Sequence, residues 1–270
     1  MADCDHNCEN CGVENCSGRI TKAKLNDRSK IKKIVGVLSG KGGVGKSYIT
    51  SLLAVYLNRK GYKVGIMDAD ITGPSIPKAF GIKEKAYGED NLIYPITTNG
   101  GIKLISANCL LEDDSDPIVW RGPLLGGLIK QFYEDVLWEE LDYLLIDMPP
   151  GTGDITLTIF QSLPIDDLII VTSPQDLVSL IVTKALKMAE MMKINVLGVI
   201  ENMSYLNCPE CNHKIYMFGE SHLEEFSKNL HFNILARLPL NSENTKKMDE
   251  GKVEEVHLEE LNNAVEQIIK

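Results

Sequence analysis

The sequence predicts an α/β fold of three layers, a mostly parallel β-sheet with helices on both faces, and three observations point there. Six short runs, residues 34–38, 64–67, 103–106, 143–146, 168–171 and 196–200, are nearly continuous in apolar residues. That is the pattern of parallel strands covered on both sides, since a half-exposed strand would alternate. Between the first two runs, Ile49, Leu52, Leu53 and Tyr56 recur at helical spacing and Gly61 stands where a helix would end, which completes a strand–helix–strand unit. Helical patterns over 124–137, 176–192 and 222–229 then keep strands and helices alternating through most of the chain.

Taken in order, residues 1–30 are polar, rich in cysteine and without apolar periodicity. They cannot build a core unaided and read as an appendage that a bound metal would order. Residues 31–270 read as a single domain with a two-cysteine insertion at 208–211. At its end, Leu258, Leu261, Val265 and Ile268 form one stripe within residues 253–270, with glutamates opposite. A membrane-surface helix carries Lys and Arg on its polar face, so this acidic one is expected to dock on the core.

The balance of 28 Lys and Arg against 38 Asp and Glu gives a formal net charge of -10. Such a chain repels nucleic-acid backbones and anionic membranes, so neither is an expected partner. No run approaches the ~18 uninterrupted apolar residues of a membrane helix, and the first twenty residues lack a secretory pattern. A cytoplasmic address follows, where clustered thiols bind metal more often than they form disulfides.

Gly40-Lys41-Gly42-Gly43-Val44-Gly45-Lys46-Ser47 fits G-x-x-x-x-G-K-[ST] and lies between an apolar strand and an amphipathic helix, as the mechanism requires. Its glycines let backbone N–H groups turn inward around an anion, and the helix start adds partial positive charge. Lys46 is expected on the β- and γ-phosphates of ATP and the Ser47 hydroxyl on Mg²⁺. Lys41, a second and earlier lysine, is not needed to cradle phosphate within one subunit. With it the loop resembles the deviant phosphate loop of the MinD-like ATPases, a subclass of the P-loop NTPase fold. That resemblance implies that Lys41 crosses a nucleotide-sandwich homodimer to support catalysis on the partner's ATP.

Asp68-Ala69-Asp70 ends the second apolar strand, on the side where α/β proteins bind ligands. By the same resemblance Asp70 orients the attacking water, with Asp68 near Mg²⁺. Asp147 ends the 143–146 strand before Met148-Pro149-Pro150-Gly151-Thr152-Gly153-Asp154. An acid there matches the Mg²⁺-holding role, and the Pro/Gly run suits a nucleotide-responsive loop. The role of Asp154 stays open. Resemblance also implies that Asn202, taken as a loop residue after the 196–200 strand, reads the adenine edge. It implies too that Pro239 packs on the base from a segment following the last strand.

Six of the seven cysteines fall in two groups, Cys4, Cys8, Cys11 and Cys16, and Cys208 with Cys211. The second pair supplies two thiolates on a tight turn, two short of a tetrahedral metal or cluster. In a homodimer the two pairs could meet and bridge one [4Fe–4S] cluster. Zn²⁺ is the alternative occupant, since Cys-Pro-x-Cys turns also hold zinc. Cys109 reads as a buried small apolar residue.

At this point the chain resembles the Mrp/ApbC family of iron–sulfur cluster carrier ATPases. The matching stretches are 40–47, 68–77, 147–154, 173–176 and Glu201-Asn202-Met203 leading to Cys208 and Cys211. The resemblance implies ATP hydrolysis linked to loading or transfer of a labile cluster at Cys208 and Cys211, with a cluster donor and apo iron–sulfur proteins as partners. Members with an N-terminal cysteine set have a longer first gap, so Cys4, Cys8, Cys11 and Cys16 could hold a [4Fe–4S] cluster, zinc or nothing. A zinc-binding regulatory ATPase, or a spatial-positioning ATPase of the MinD/ParA kind, is the rival function; the basic helix expected of the latter is missing.

Overall fold

The computed structural model describes residues 22–70, 75–110, 122–174 and 178–270. The expectations for Cys4, Cys8, Cys11 and Cys16, and for residues 71–74 and 175–176, lie outside this set. The first half of the chain contributes β1 (Lys30–Ser39), α1 (Lys46–Arg59), β2 (Val64–Asp68), α2 (Ile76–Ala79), β3 (Tyr87–Glu89), β4 (Leu92–Tyr94), β5 (Ile96–Thr97), β6 (Lys103–Ile105) and α3 (Gly122–Glu134). The second half contributes β7 (Glu140–Asp147), α4 (Asp154–Ser162), β8 (Asp167–Thr172), α5 (Val178–Met191), β9 (Asn195–Asn207), β10 (Lys214–Ile215), α6 (Leu223–Leu230), β11 (Ile234–Pro239), α7 (Ser242–Asp249) and α8 (Asn262–Ile269).

Among the described residues the main sheet runs β10-β9-β8-β1-β7-β2-β6-β5, with β11 also paired to β9. Every pairing from β11 through β9, β8, β1, β7 and β2 to β6 is parallel; β5 and β10 alone join antiparallel. Each residue of β2 and β8 is buried, so both faces of the sheet are covered, as the unbroken apolar runs require. In the covering layers α1 packs beside α2 and α8, α3 beside α4, and α5 beside α6.

This order places β1 at the centre, flanked by β7 and β8. Consecutive units diverge there, the kind of crevice in which open α/β sheets bind ligands. The loop after β1 turns into α1 through Gly43 and Gly45, at φ 80° and 82°. That left-handed backbone is accessible to glycine without the steric penalty of a Cβ.

Two expectations need correction. The C-terminal helix begins at Asn262, not near 253, because the preceding chain folds as 3-10 turns over Val253–Glu255 and Glu259–Leu261. The Leu258 amide there donates to the Tyr56 hydroxyl, which holds the chain off a helical path. The expected apolar stripe still lies inward, with Leu258, Leu261, Val265 and Ile268 all buried. The other correction concerns β9, which continues past Ile200 to Asn207. Asn202 is therefore a strand residue, and Pro239 is the last residue of β11 rather than a residue beyond it.

The extension of β9 is irregular. Glu201 pairs with Arg237 and Tyr205 with Pro239, so Asn202, Met203 and Ser204 together face Leu238 alone. Met203 sits at φ 58°, a left-handed conformation that costs a side-chain-bearing residue about 1–2 kcal/mol.

Candidate nucleotide site and thiol hairpin

The phosphate loop and the ends of β2 and β7 bring the charged residues together. Asp68 and Asp147 are partners in parallel register, and both are buried. The Lys46 ammonium lies 2.7 Å from Asp147 Oδ2 and 3.5 Å from Asp70 Oδ2. Ser47 donates its hydroxyl to the same Asp147 oxygen at 2.6 Å, and Thr50 donates to Oδ1 at 2.7 Å. Thr50, one helical turn after Lys46, was missed by motif reading; its i+4 spacing was the available signal.

Asp68 accepts from the Ser106 hydroxyl at 3.0 Å and from the Asp70 amide at 3.2 Å. Its carboxyl is pushed up to about 8, first by burial and next by the neighbouring Asp147 charge, with Lys46 pulling the other way. Lys41 is half-buried on the loop, where Ser39 donates its hydroxyl to the Lys41 carbonyl. The loop after β7 is tied to the phosphate-loop strand through Met148 N–H to the Val37 carbonyl and Gly151 N–H to that of Ser39. Asp154 opens α4 and is exposed.

Beside the loop is a cavity of about 230 Å³ whose walls include Gly45, Tyr48, Asn202, Met203, Pro239 and Met248. Pockets for whole ligands span roughly 300–1,000 Å³, so this one suits a ring-sized fragment. The Asn202 amide reaches across it to donate to the Val44 carbonyl at 2.9 Å. Gly45 permits that approach, since a Cβ there would lie 2.3 Å from Asn202 Nδ2. Tyr48 and Met248 come from helices distant in sequence, and no local pattern marked them.

From the Asn202 bulge β9 runs on to Asn207, and Cys208 follows directly. The hairpin closes when β10 pairs back, Lys214 with Asn207 and Ile215 with Leu206. Cys208 N–H donates to the His213 carbonyl and Asn212 N–H to that of Cys208, each at 2.9 Å. The amides of Glu210 and Cys211, and the Cys211 side chain, hold the Cys208 thiol below its ordinary range, favouring the thiolate that binds metal. Cys208 is half-buried and Cys211 exposed. Among the described residues no three His, Cys, Asp or Glu side chains cluster to hold a metal ion. Cys109 is buried, away from this hairpin in sequence and element.

A family model described as the NUBPL iron-transfer P-loop NTPase, of the ParA group, matches residues 30–270. The chain belongs to that family. It is 48% identical over 248 residues to the iron-sulfur cluster carrier protein of Clostridium perfringens, covering 89% of this chain and 87% of that one. With the protein of the same name from Methanocaldococcus jannaschii it shares 47% over 260 residues, covering 93% and 90%. Among solved structures, a nucleotide-binding protein from Archaeoglobus fulgidus, in complex with ADP and with cobalt found, superposes with a TM-score of 0.75 at 44% identity. That match covers 83% of this chain and 88% of that one. The Pyrococcus furiosus cell-division ATPase MinD superposes with a TM-score of 0.59 at 21% identity, covering 88% and 98%, and shows the shared fold alone. As an iron-transfer P-loop NTPase this chain has a mostly parallel sheet between helices, as its strand pattern predicts. No helix among the described residues is long and apolar enough to cross a membrane.

Proposed function

We propose that this protein is an ATP-hydrolysing carrier that takes up a [4Fe–4S] cluster as cargo between two copies of itself and passes it to apo iron–sulfur proteins. The observation that carries the reading is one strand, β9, which bears the Asn202 base-pocket residue and leads directly into the Cys208–Cys211 hairpin. Nucleotide site and thiol site are thus two ends of one piece of backbone. Relatives at 48% and 47% identity that bear the carrier name support the same cargo for this chain. No observation favours a zinc-bound regulator or a positioning ATPase, whose likeness extends to the fold only.

At the phosphates, Lys46 would exchange its Asp147 partner for the β- and γ-phosphate oxygens while the loop amides from Gly40 to Ser47 surround them. The residues fit Mg²⁺. Asp147 and Asp70 share the Lys46 ammonium beside the Ser47 hydroxyl, with buried Asp68 in register with Asp147, a set of hard oxygen donors of the kind Mg²⁺ takes. When bound, the ion would neutralise charge on the polyphosphate. Asp70 would orient water, and Lys41 would reach a partner's nucleotide. The Asn202 amide, with a second N–H and an acceptor oxygen beyond its Val44 bond, would read the adenine edge while Pro239 packs on the ring.

Two thiolates per chain leave the cargo half-ligated, so a second chain would complete four-sulfur ligation. Ile215, Tyr216, Met217 and Phe218, next to the pair, are exposed apolar residues that a second copy would cover. Residues 1–30 would form a separate cysteine-rich appendage to the 31–270 domain. A reducing cytoplasm would keep these thiols available.

The reading is tested by transfer. Protein loaded anaerobically with iron and sulfide is mixed with an apo-dehydratase whose activity requires a [4Fe–4S] cluster. Activation that vanishes in Cys208→Ala/Cys211→Ala is the expected result; equal activation by that variant would overturn the assignment.

A further inference from the structure

Glu201, beside the base-pocket Asn202, is a carboxylate only 1% exposed, and none of the roles above employs it. Its Oε2 accepts the Ser204 hydroxyl and its Oε1 the Ser221 hydroxyl, each at 2.5 Å. These serines stand at informative places. Ser204 belongs to the bulge of β9 that includes Asn202 and left-handed Met203. Ser221 stands where the chain returns to the body of the protein after the thiol hairpin, and the Leu223 amide at the start of α6 donates to its oxygen at 3.1 Å. From Pro209 to Glu220 every residue is exposed. The placement of this thiol-bearing segment is therefore set by its two ends, the run-out of β9 and Ser221, and Glu201 grips both.

A third partner stands within reach. Arg237, the register partner of Glu201 on β11, holds Glu224 of α6 through Nη1 at 3.0 Å. Its Nε lies 3.8 Å from Glu201 Oε2, too far for a hydrogen bond. Both Nε and Nη2 of Arg237 are buried without a hydrogen-bond partner among the described residues. Buried donors are normally satisfied. An unused pair beside a carboxylate already committed to two serines marks a second arrangement that a shift of about 1 Å would make.

We propose that Glu201 is a positioning residue that couples the nucleotide pocket to the thiol hairpin, by exchanging its carboxylate between the two serine hydroxyls and the Arg237 guanidinium. A base entering the cavity displaces the Asn202–Met203 bulge, Ser204 moves with it, and Glu201 turns toward Arg237, releasing Ser221 and the far end of the segment. The inference rests on the carrier reading for its purpose, and on the hydrogen bonds above for its mechanism. Two discrete arrangements of one element, each favoured by a different ligand state, are what coupling between sites requires.

The test follows the two thiols directly, in full-length, reduced protein stripped of iron by chelation. Alkylation rates of Cys208 and Cys211 with iodoacetamide are read by peptide mass spectrometry, with and without a saturating non-hydrolysable ATP analogue. In wild type the analogue is expected to change the rates by roughly 5-fold or more. Ser221→Ala and Glu201→Gln should still bind the analogue, with affinity within about 5-fold of wild type, yet bring that ratio to within about 2-fold of unity, and Ser221→Thr, which keeps the hydroxyl, should restore it. Should Glu201→Gln fail to fold, Ser221→Ala, at a half-buried site on the returning segment, still decides. A wild type whose thiols ignore the analogue, or variants that respond as strongly as wild type, would overturn the coupling. Failure of wild type to take up a cluster would instead overturn the carrier reading and leave the thiol response as measured.

Discussion

The Lys46 ammonium is committed to Asp147 at 2.7 Å and to Asp70 at 3.5 Å. Lys46→Ala should therefore do two things, remove the phosphate contact and leave two carboxylates facing each other without their cation. ATP affinity is expected to fall by about 100-fold or more, ~2.7 kcal/mol, measured by titration calorimetry; binding within a few-fold of wild type would contradict the assigned loop. Lys41, half-buried on the same loop, is the lysine proposed to reach a partner's nucleotide. Lys41→Ala should keep ATP affinity near wild type while hydrolysis falls, and equal turnover would remove the argument for an active site shared between subunits.

Asp68 gives the pH prediction. Its folded-state value, about 8, lies above that of an unfolded carboxyl near roughly 4. The folded protein thus holds a proton that the unfolded chain has released, and stability falls as pH rises across that interval. The contribution is complete below about pH 4 and lost as pH passes through 8. Asp68→Asn keeps the neutral shape at every pH. In chelator-treated, nucleotide-free protein it should melt above wild type near about pH 8.5, and the gap should close toward about pH 5. A melting difference independent of pH would show that Asp68 is ionised in the folded protein across the whole range.

At the scale of elements, the site is a matter of close approach between β9 and the phosphate loop. Gly45→Ala would place a methyl 2.3 Å from Asn202 Nδ2 and on a φ of 82°. Nucleotide affinity should drop by at least about 10-fold, ~1.4 kcal/mol, with the fold retained by circular dichroism; unaltered affinity would mean that Asn202 has no part in the pocket. The parallel core was legible because strands covered on both faces must be apolar along their length, as residues 143–146 and 168–171 are. The phosphate loop was legible because its chemistry is local. The rest of β9 was not, because Glu201, Asn202 and Ser204 look like the polar end of a strand. They are buried because Ser221 donates to Glu201 and the Val44 carbonyl accepts from Asn202, both from distant segments, while Ser204 donates back to Glu201. Strand β11 has an apolar run of only three residues, Ile234-Leu235-Ala236, before Arg237 interrupts it, and the short antiparallel strands β3, β4, β5 and β10 are set by their neighbours. The C-terminal stripe was visible, but the 3-10 turns before Asn262 depend on contacts such as that of Leu258 with Tyr56, 202 residues apart.

At the scale of the whole molecule, one sheet places a phosphate loop at its centre and a thiol hairpin at the far end of an outer strand. On the carrier reading each half is incomplete in one chain, since Lys41 would act on a partner's nucleotide and Cys208 with Cys211 supply two of the four thiolates that a cluster takes. A second copy would complete both, and shared ligation would make cluster affinity a property of the dimer that nucleotide state would alter. The measurement that tests this most directly is Mössbauer spectroscopy with iron counting, on protein reconstituted anaerobically with ⁵⁷Fe and sulfide, beside Cys208→Ala/Cys211→Ala. The bridging site predicts a [4Fe–4S] spectrum in which the double variant loses about two irons per chain, one cluster per two chains, together with the dimer that the cluster holds. A wild type that takes up no [4Fe–4S] cluster, or a double variant with the same spectrum and iron content, would contradict the account.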